Sequence, residues 1–265
     1  MQIRSSRRYL SIPYIVFMVV FVLIPLLLIG VYAFTDRAMM PSLGPAINFF
    51  GSSSRFQVLF VSLVFGLLNT VISLLIAYPL AYFLADRKVN KNVVLVMLFI
   101  MPMWINFVLR TWALRDVLAF IGLSGGDYPE LATLIGLVYN YLPFTIMPLY
   151  TTMLRLDKSQ IEASQDLGAG PVRTFRKIIL PMTMPGVVSA ATMVFMPTMT
   201  SYVISDILGE GKVTLFGKYI EIYFTQNQWH DGSFLALVML VLILASVLVS
   251  ANFAKKSKKG EANVW

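Results

Sequence analysis

The residues of this chain whose types and spacing suit covalent chemistry are few, and their surroundings argue against it. Gly122-Leu123-Ser124-Gly125-Gly126 has the G-x-S-x-G spacing of a nucleophilic serine turn. That chemistry needs a strand before the serine, a helix after it and a histidine as base. Here the stretch reads as a glycine-rich turn, and the single histidine, His230, falls in a different loop as an expected solvated residue. Gly209-Glu210-Gly211-Lys212 suggests a phosphate-binding loop, but Asp206 stands at the first glycine position and Val213 at the Ser/Thr position. There is no HExxH and no Cys/His cluster, and the chain has no cysteine at all, so thiolate metal sites and disulfides are excluded. The reading is a chain with no catalytic residue, no metal site and no cofactor of its own.

A second constellation has mechanical rather than chemical character. Glu162-Ala163-Ser164-Gln165-Asp166-Leu167-Gly168 and then Ile178-x-Leu180-Pro181 form a polar stretch between two long apolar segments. Asp157 is placed to cap a helix that contains Glu162 and Asp166 and continues to about Leu167. Gly168 permits the positive φ of a helix end, and Gly170-Pro171 restarts the chain at a new angle. The second helix sets Arg173, Arg176 and Lys177 beside apolar Val172 and Phe175. Two short helices with an apolar side and a basic rim make a knob that fits a groove on another protein and transmits a push.

The elements that must hold this knob are membrane spans. With 58% hydrophobic and 13% charged residues and a mean hydropathy of +0.76, 265 residues cannot assemble a water-soluble surface. Six apolar runs approach or exceed the roughly 20 helical residues that cross a bilayer. They lie at about 12–34, 58–85, 93–108, 131–154, 182–204 and 234–254, with the knob at about 155–181, in one transmembrane domain over 1–265. The runs lack turn signals and period-2 alternation, so the predicted class is an all-α integral membrane protein rather than a barrel. The third run is the shortest and contains Pro102. The first could be read as a signal peptide ending at Val31-x-Ala33, but its length favours an uncleaved span.

Orientation follows from charge. With the N-terminus inside, 15 of the 21 Lys and Arg fall in inner segments, among them Lys88, Arg155, Lys158, Arg173 and Lys256. The six outer ones are Arg37, Arg55, Arg110, Arg115, Lys212 and Lys218. The positive-inside rule therefore predicts cytoplasmic termini and a cytoplasmic knob, and accounts for the net charge of +8 without nucleic acid.

As drawn, none of the six spans holds an Asp, Glu, Lys, Arg or His. Carriers driven by protons or sodium place such groups at membrane depth, so the driving energy is expected from elsewhere. The polar residues within the spans (Asn69, Thr70, Asn106, Asn140, Ser189, Thr192, Thr198, Thr200 and Ser201) are uncharged and suit hydrogen bonds between packed helices. The fifth span carries the densest set, with Pro185, Pro197 and five methionines that can re-pack during gating.

The knob segment resembles the EAA loop of ABC-importer permeases, E-A-A-x3-G-x9-I-x-L-P, with Ser164 at the second alanine as the departure. The resemblance extends along most of the chain from the second span onward. Tyr78-Pro79, Pro102-x-Trp104, Leu142-Pro143-Phe144, Met147-Pro148-Leu149-Tyr150, Pro181-Met-Thr-Met-Pro185-Gly186 and Ser205-Asp206 are similar to the B-type permeases of spermidine/putrescine importers. It implies a six-helix type I importer fold in a bacterial plasma membrane. It also implies a second related permease as heterodimer partner, two ATPase subunits that carry ATP and Mg, and an extracellular polyamine-binding protein. The residues that match the coupling loop, or lie within it, are Glu162, Ala163, Ser164, Asp166, Gly168, Arg173, Phe175, Ile178, Leu180 and Pro181.

The expected outer mouth suits a flexible cation, which is held by carboxylates and aromatic faces. Tyr202, Ser205 and Asp206 close the fifth span, and Tyr219 and Glu221 follow in the next outer loop with Glu210, Phe216 and Tyr223. An interfacial aromatic belt with solvated acids explains the same residues equally well. Importers of other small substrates, a standalone carrier or channel, and an intramembrane hydrolase at Gly122–Gly126 are the competing readings.

Overall fold

In the computed structural model, residues 12–86 and 94–262 are described, with side chains through residue 253. Eleven helices account for nearly all of them. They are α1 Ile12–Ala33, α2 Gly44–Phe50, α3 Ser53–Ala85, α4 Val94–Trp104 and α5 Phe107–Phe120. Then come α6 Pro129–Met153, α7 Lys158–Asp166, α8 Pro171–Thr200, α9 Val203–Leu208, α10 Phe216–Thr225 and α11 Trp229–Ala262. Five helices (α1, α3, α6, α8 and α11) are long and apolar enough to cross a membrane, and α4 with α5 makes a sixth candidate. No strand occurs among the described residues. The chain divides into two compact units, 58–218 with 243–265 and 1–57 with 219–242.

The larger unit is organised around the crossing of α6 and α8. Gly186 on α8 lies against Thr152 and Pro148 of α6, where a Cβ would meet the Thr152 hydroxyl oxygen at 2.6 Å. Small residues at such a crossing let two backbones approach where lipid supplies no hydrophobic drive. One core cluster joins Ala77, Ala81, Ile146, Leu149, Met153 and Ala190 from α3, α6 and α8. A second, containing Phe65, Leu118, Leu137, Ile204, Leu208 and Leu215, packs α3, α5 and α6 against α9 and the segment after it. Some of the uncharged polar side chains bond between helices, whereas Thr70 and Thr200 bond to carbonyls of their own helices. Asn69 Nδ2 donates to Thr198 Oγ1 at 2.6 Å, and Thr192 Oγ1 donates to Ser250 Oγ at 2.9 Å.

The third expected span, 93–108, is corrected by the structure. Val93 lies outside the described residues. From Val94 the helix tightens into a 3-10 turn over Met101–Trp104, and Ile105 is extended. Asn106 then caps α5 by accepting from Val108 N and Leu109 N, at a bend of 97°. Pro102 at the start of the 3-10 turn explains the break, since proline cannot continue the i to i−4 ladder. The chain stays helical to Phe120, so Arg110 and Arg115 are helical residues rather than loop residues.

Arg110 is also buried, at 8% exposure. Its Nε and Nη2 both donate to Asn140 Oδ1 (3.1 and 2.7 Å), and Nη1 donates to the Pro102 carbonyl at 2.7 Å. Asn140 completes the network by donating to the Gly136 carbonyl at 2.9 Å and to Thr111 Oγ1 at 3.3 Å. The Tyr139 ring lies 5.3 Å from the guanidinium carbon. The expectation of helices without ionisable groups is thus replaced by a buried guanidinium held by amide, carbonyl and ring, with Arg115 and Asp116 further along the same helix. No salt bridge to Arg110 occurs among the described residues.

The fifth span differs as well. Its helix begins at Pro171, so the second helix of the knob runs straight into the span through a π-turn at Phe175–Ile179. It ends at Thr200 because Ser201 is extended (ψ 123°), which leaves Tyr202, Ser205 and Asp206 on a separate turn.

In the smaller unit, Phe34, Phe49 and Phe50 surround Phe234, with centroids 5.7 to 6.4 Å from it. His230 is at the start of α11 and half-buried, its Nδ1 3.1 Å from the Tyr32 carbonyl oxygen. The expectation of a solvated loop residue fails because α11 starts earlier than its apolar run.

Gly217 is fixed by close approach. A Cβ there would run into the carbonyl of Thr200, which is backbone and cannot swing aside. Gly217→Ala should destabilise the protein by about 1–3 kcal/mol through overpacking. Gly30→Ala, where no atom lies within 4 Å of the added Cβ, should be neutral or slightly stabilising. Thermal unfolding of the detergent-solubilised protein compares them, and an unchanged midpoint for Gly217→Ala contradicts the packing described.

Candidate functional site

The two constellations lie at opposite ends of α8. That helix has 30 residues and is about 45 Å long.

At its N-terminal end the segment folds from local rules. Asp157 caps α7 by accepting from Ser159 N at 3.0 Å and Ser159 Oγ at 2.7 Å. The Ser159 hydroxyl, then its amide, hold the Asp157 carboxyl below its ordinary pKa. At the other end of α7, Gly168 takes φ +75°. The amide of Ala169 reaches the Ser164 carbonyl at 3.0 Å and that of Gly168 reaches Gln165 at 2.9 Å. These two bonds form a Schellman C-cap, which requires the left-handed residue that glycine supplies.

The chain then reverses into α8, and one hydrogen bond ties the two arms. Ser164 Oγ lies 3.0 Å from Thr174 Oγ1, and both residues are buried. Serine at this position therefore adds a bond that alanine lacks. Thr174 drew no attention in the sequence because nothing local marks it. Glu162, Ala163, Asp166, Gly168, Arg173, Phe175 and Pro181 are exposed, whereas Ile178 and Leu180 are half-buried. The tip carries Leu167 at 89% exposure and Val172 at 72%. Leu167 lies outside the expected site residues, although a leucine just before a C-cap glycine is the available signal. The result is an apolar tip with carboxylates on one arm and Arg173, Arg176 and Lys177 on the other.

Behind the tip, Phe175 packs edge-on to Tyr78 of α3 at 5.6 Å, and the Tyr78 hydroxyl lies 2.7 Å from Thr183 Oγ1. A hollow of about 260 Å³ opens beside α7, lined by Tyr82, Asp86, Met153, Lys158 and Glu162 among others.

At the C-terminal end of α8 the predicted residues separate. In the larger unit, Tyr202 and Asp206 are exposed, while Ser205 is fully buried with its hydroxyl donating to the Tyr202 carbonyl at 3.0 Å. Ser205 faces the protein rather than an aqueous path. Asp206 Oδ1 lies 3.5 Å from Lys218 Nζ. In the same unit Arg115 pairs with Glu210 at 3.4 Å, and Lys212 Nζ donates to the Gly126 carbonyl. Ser124, of the rejected nucleophile motif, donates to Asp127 at 3.0 Å, a turn contact rather than a catalytic one.

Tyr219 and Glu221 belong to the smaller unit and are half-buried. Tyr219 stacks edge-on with Tyr223 at 5.1 Å. Arg55 covers the Tyr223 ring at 5.2 Å and pairs with Asp231 at 3.2 Å. Burial, reinforced by the Tyr219 hydroxyl, pushes the Tyr223 phenol up to about 12, so it remains protonated at physiological pH. An aromatic face that would suit a ligand cation is thus already occupied by a side chain of the protein. No cluster of metal-ligating side chains occurs among the described residues.

Known proteins match this architecture. A family model described as "Binding-protein-dependent transport system inner membrane component" matches residues 48–258. The spermidine/putrescine transport system permease protein PotB of Escherichia coli (strain K12) is 35% identical, across 73% of this chain and 76% of that protein. The PotB protein of Haemophilus influenzae is 31% identical across 88% of each chain. Among solved structures, a bacterial ABC transporter that imports alginate superposes with a TM-score of 0.69 at 14% identity, covering 96% of each chain. The methionine ABC transporter MetNI gives 0.58 at 17% identity, over 78% of this chain and 99% of its own. At those identities the structures establish the fold alone, that of ABC importer permeases. The match over residues 48–258, together with relatives above 30% identity, shows that this chain is a multi-pass membrane protein belonging to the family of binding-protein-dependent transport system inner membrane components.

Proposed function

We propose that the chain is one of two permease subunits of an ATP-driven polyamine importer in a bacterial plasma membrane, forming half of the translocation path. The observation that carries the reading is the segment at Glu162–Pro181. It is an exposed apolar tip at Leu167 and Val172, fixed by a Schellman turn and the Ser164–Thr174 bond, and rigidly continuous with α8. A tip of that kind is built to be gripped and to pass motion along its helix. The gripping partner is an ATPase, present in two copies, which holds ATP and Mg; this chain carries no cofactor and catalyses nothing. A related permease completes a heterodimer, and an extracellular binding protein delivers cargo to the Tyr202–Lys218 end. The polyamine cargo is supported by the PotB relatives and by the exposed carboxylate of Asp206 beside Tyr202. Another small substrate is the alternative, and a standalone carrier or channel leaves the tip without a purpose.

The direct test is ATPase activity of the complex purified through this chain and reconstituted with its binding protein, screened over polyamines, anions and sugars. Stimulation by spermidine or putrescine is expected. Stimulation by another class alone overturns the cargo, and absence of any co-purifying ATPase overturns the coupling.

Gly168→Val isolates the turn. No atom lies within 4 Å of the added Cβ, so the effect is purely conformational, about 1–2 kcal/mol against φ +75°. The variant should insert normally but lose ATPase association or stimulated turnover, and normal transport by it counts against the coupling role.

The proposed orientation places both termini and the tip in the cytoplasm. Single cysteines are convenient in a chain that has none. Positions 88, 173 and 256 should be shielded from an impermeant maleimide outside the cell, and 51, 125 and 226 should react. External labelling at 173 reverses the orientation.

A further inference from the structure

The ion pairs Arg55–Asp231, Arg115–Glu210 and Lys218–Asp206 are not equivalent. Arg55–Asp231 is the most buried, with side chains 11% and 23% exposed at 3.2 Å. Arg115–Glu210 has intermediate exposure at 3.4 Å. Lys218–Asp206 is the longest at 3.5 Å, and its carboxylate is the most open of the three at 48%. The first two use arginine, whose planar fork is pre-organised, whereas lysine presents a point charge on a flexible stem. The Lys218 side chain is 24% exposed, and a pair open to solvent on its carboxylate side is weak.

The backbone beneath Lys218 does not share this looseness. The amide of the fully buried Phe216 donates to Ser62 Oγ at 2.7 Å, and Gly217 lies against the Thr200 carbonyl. Its stem therefore starts from a fixed point, and its ammonium meets Asp206 at the end of a flexible side chain.

We propose that Lys218 is an internal competitor for the Asp206 carboxylate: its ammonium stands where a cargo ammonium binds, and arriving cargo exchanges with it. This rests on the polyamine reading and adds a specificity-determining residue to it. A carboxylate with a built-in ammonium partner rejects weak monovalent cations, because they gain only what Lys218 already supplies. A primary ammonium tethered to further ammonium groups wins the exchange, since binding elsewhere raises its effective concentration at Asp206. Displaced Lys218 then swings into the water that the cargo vacated. No covalent step is involved.

The test uses the assembled complex with its binding protein in proteoliposomes, with spermidine and putrescine as probes. Lys218→Met keeps the stem and removes the charge; Lys218→Gln is the second variant should the first assemble poorly. Each should lower the KM for uptake by about twofold to fivefold, the size of an exposed pair's contribution, with kcat within about twofold. In an Asp206→Asn background the same substitution should leave KM unchanged. A structural role for the pair predicts instead a lower Tm or kcat and an effect that persists without Asp206. An unchanged or raised KM for both Lys218 variants overturns the exchange while leaving the polyamine reading intact. A parent complex that moves no polyamine overturns both.

Discussion

One buried guanidinium determines how the chain's broken segment sits against its long helices. Pro102 interrupts the ladder between α4 and α5 and frees backbone carbonyls, and Arg110 Nη1 takes the carbonyl of Pro102 itself. The same side chain reaches Asn140 near the middle of α6, so the bend of 97° is braced against a continuous helix. A buried charge is tolerated only when its donors are satisfied, because desolvation outweighs any single contact. Carbonyl, amide and aromatic ring supply that here without a carboxylate. The distinction bears on energetics. A carboxylate that binds and releases a proton or cation is what an ion-driven carrier needs, and a guanidinium that never deprotonates cannot serve that purpose.

The segments that read correctly from sequence are those in which local chemistry decides. Asp157 as cap, Gly168 at positive φ and Pro171 at the restart depend on neighbours within a few residues, and all three take those conformations. Five long apolar runs likewise form helices because length and composition suffice. The failures are tertiary. Arg110 looked like a loop residue because a proline and a short run suggested that the helix had ended; what extends the ordered chain is the Asn140 network, thirty residues away in sequence. The Ser164–Thr174 bond and the Lys218–Asp206 pair are invisible for the same reason. Ser205 was grouped with Asp206 by adjacency, yet on a short helix neighbouring side chains point about 100° apart, and one is buried while the other is open.

The continuity of α8 connects the two ends mechanically. A separate second knob helix would decouple the tip from the span through a flexible joint. The π-turn at Phe175–Ile179 instead keeps the backbone helical and inserts an extra residue into the ladder. Phe175 on that turn touches Tyr78, whose hydroxyl bonds Thr183 about two turns further along α8, so α3 is attached to α8 at the π-turn and beyond it. A displacement applied at Leu167 or Val172 is therefore delivered to α3 and α8 together.

At the far end α8 stops at Thr200. Ser201 is extended, and beyond it α9 is packed tightly enough that Leu208 and Ile204 fill the space a side chain on Gly136 would need. Asp206 projects from that short helix, while Lys218 is anchored through Phe216 to Ser62 of α3 and through Gly217 to the last residue of α8. The carboxylate and its ammonium thus hang from different supports. A shift of α3 and α8 against α9 would alter their separation directly. Of the carboxylates in the Arg55, Arg115 and Lys218 pairs, that of Asp206 is the most open, so it is the one that solvent and cations reach most easily.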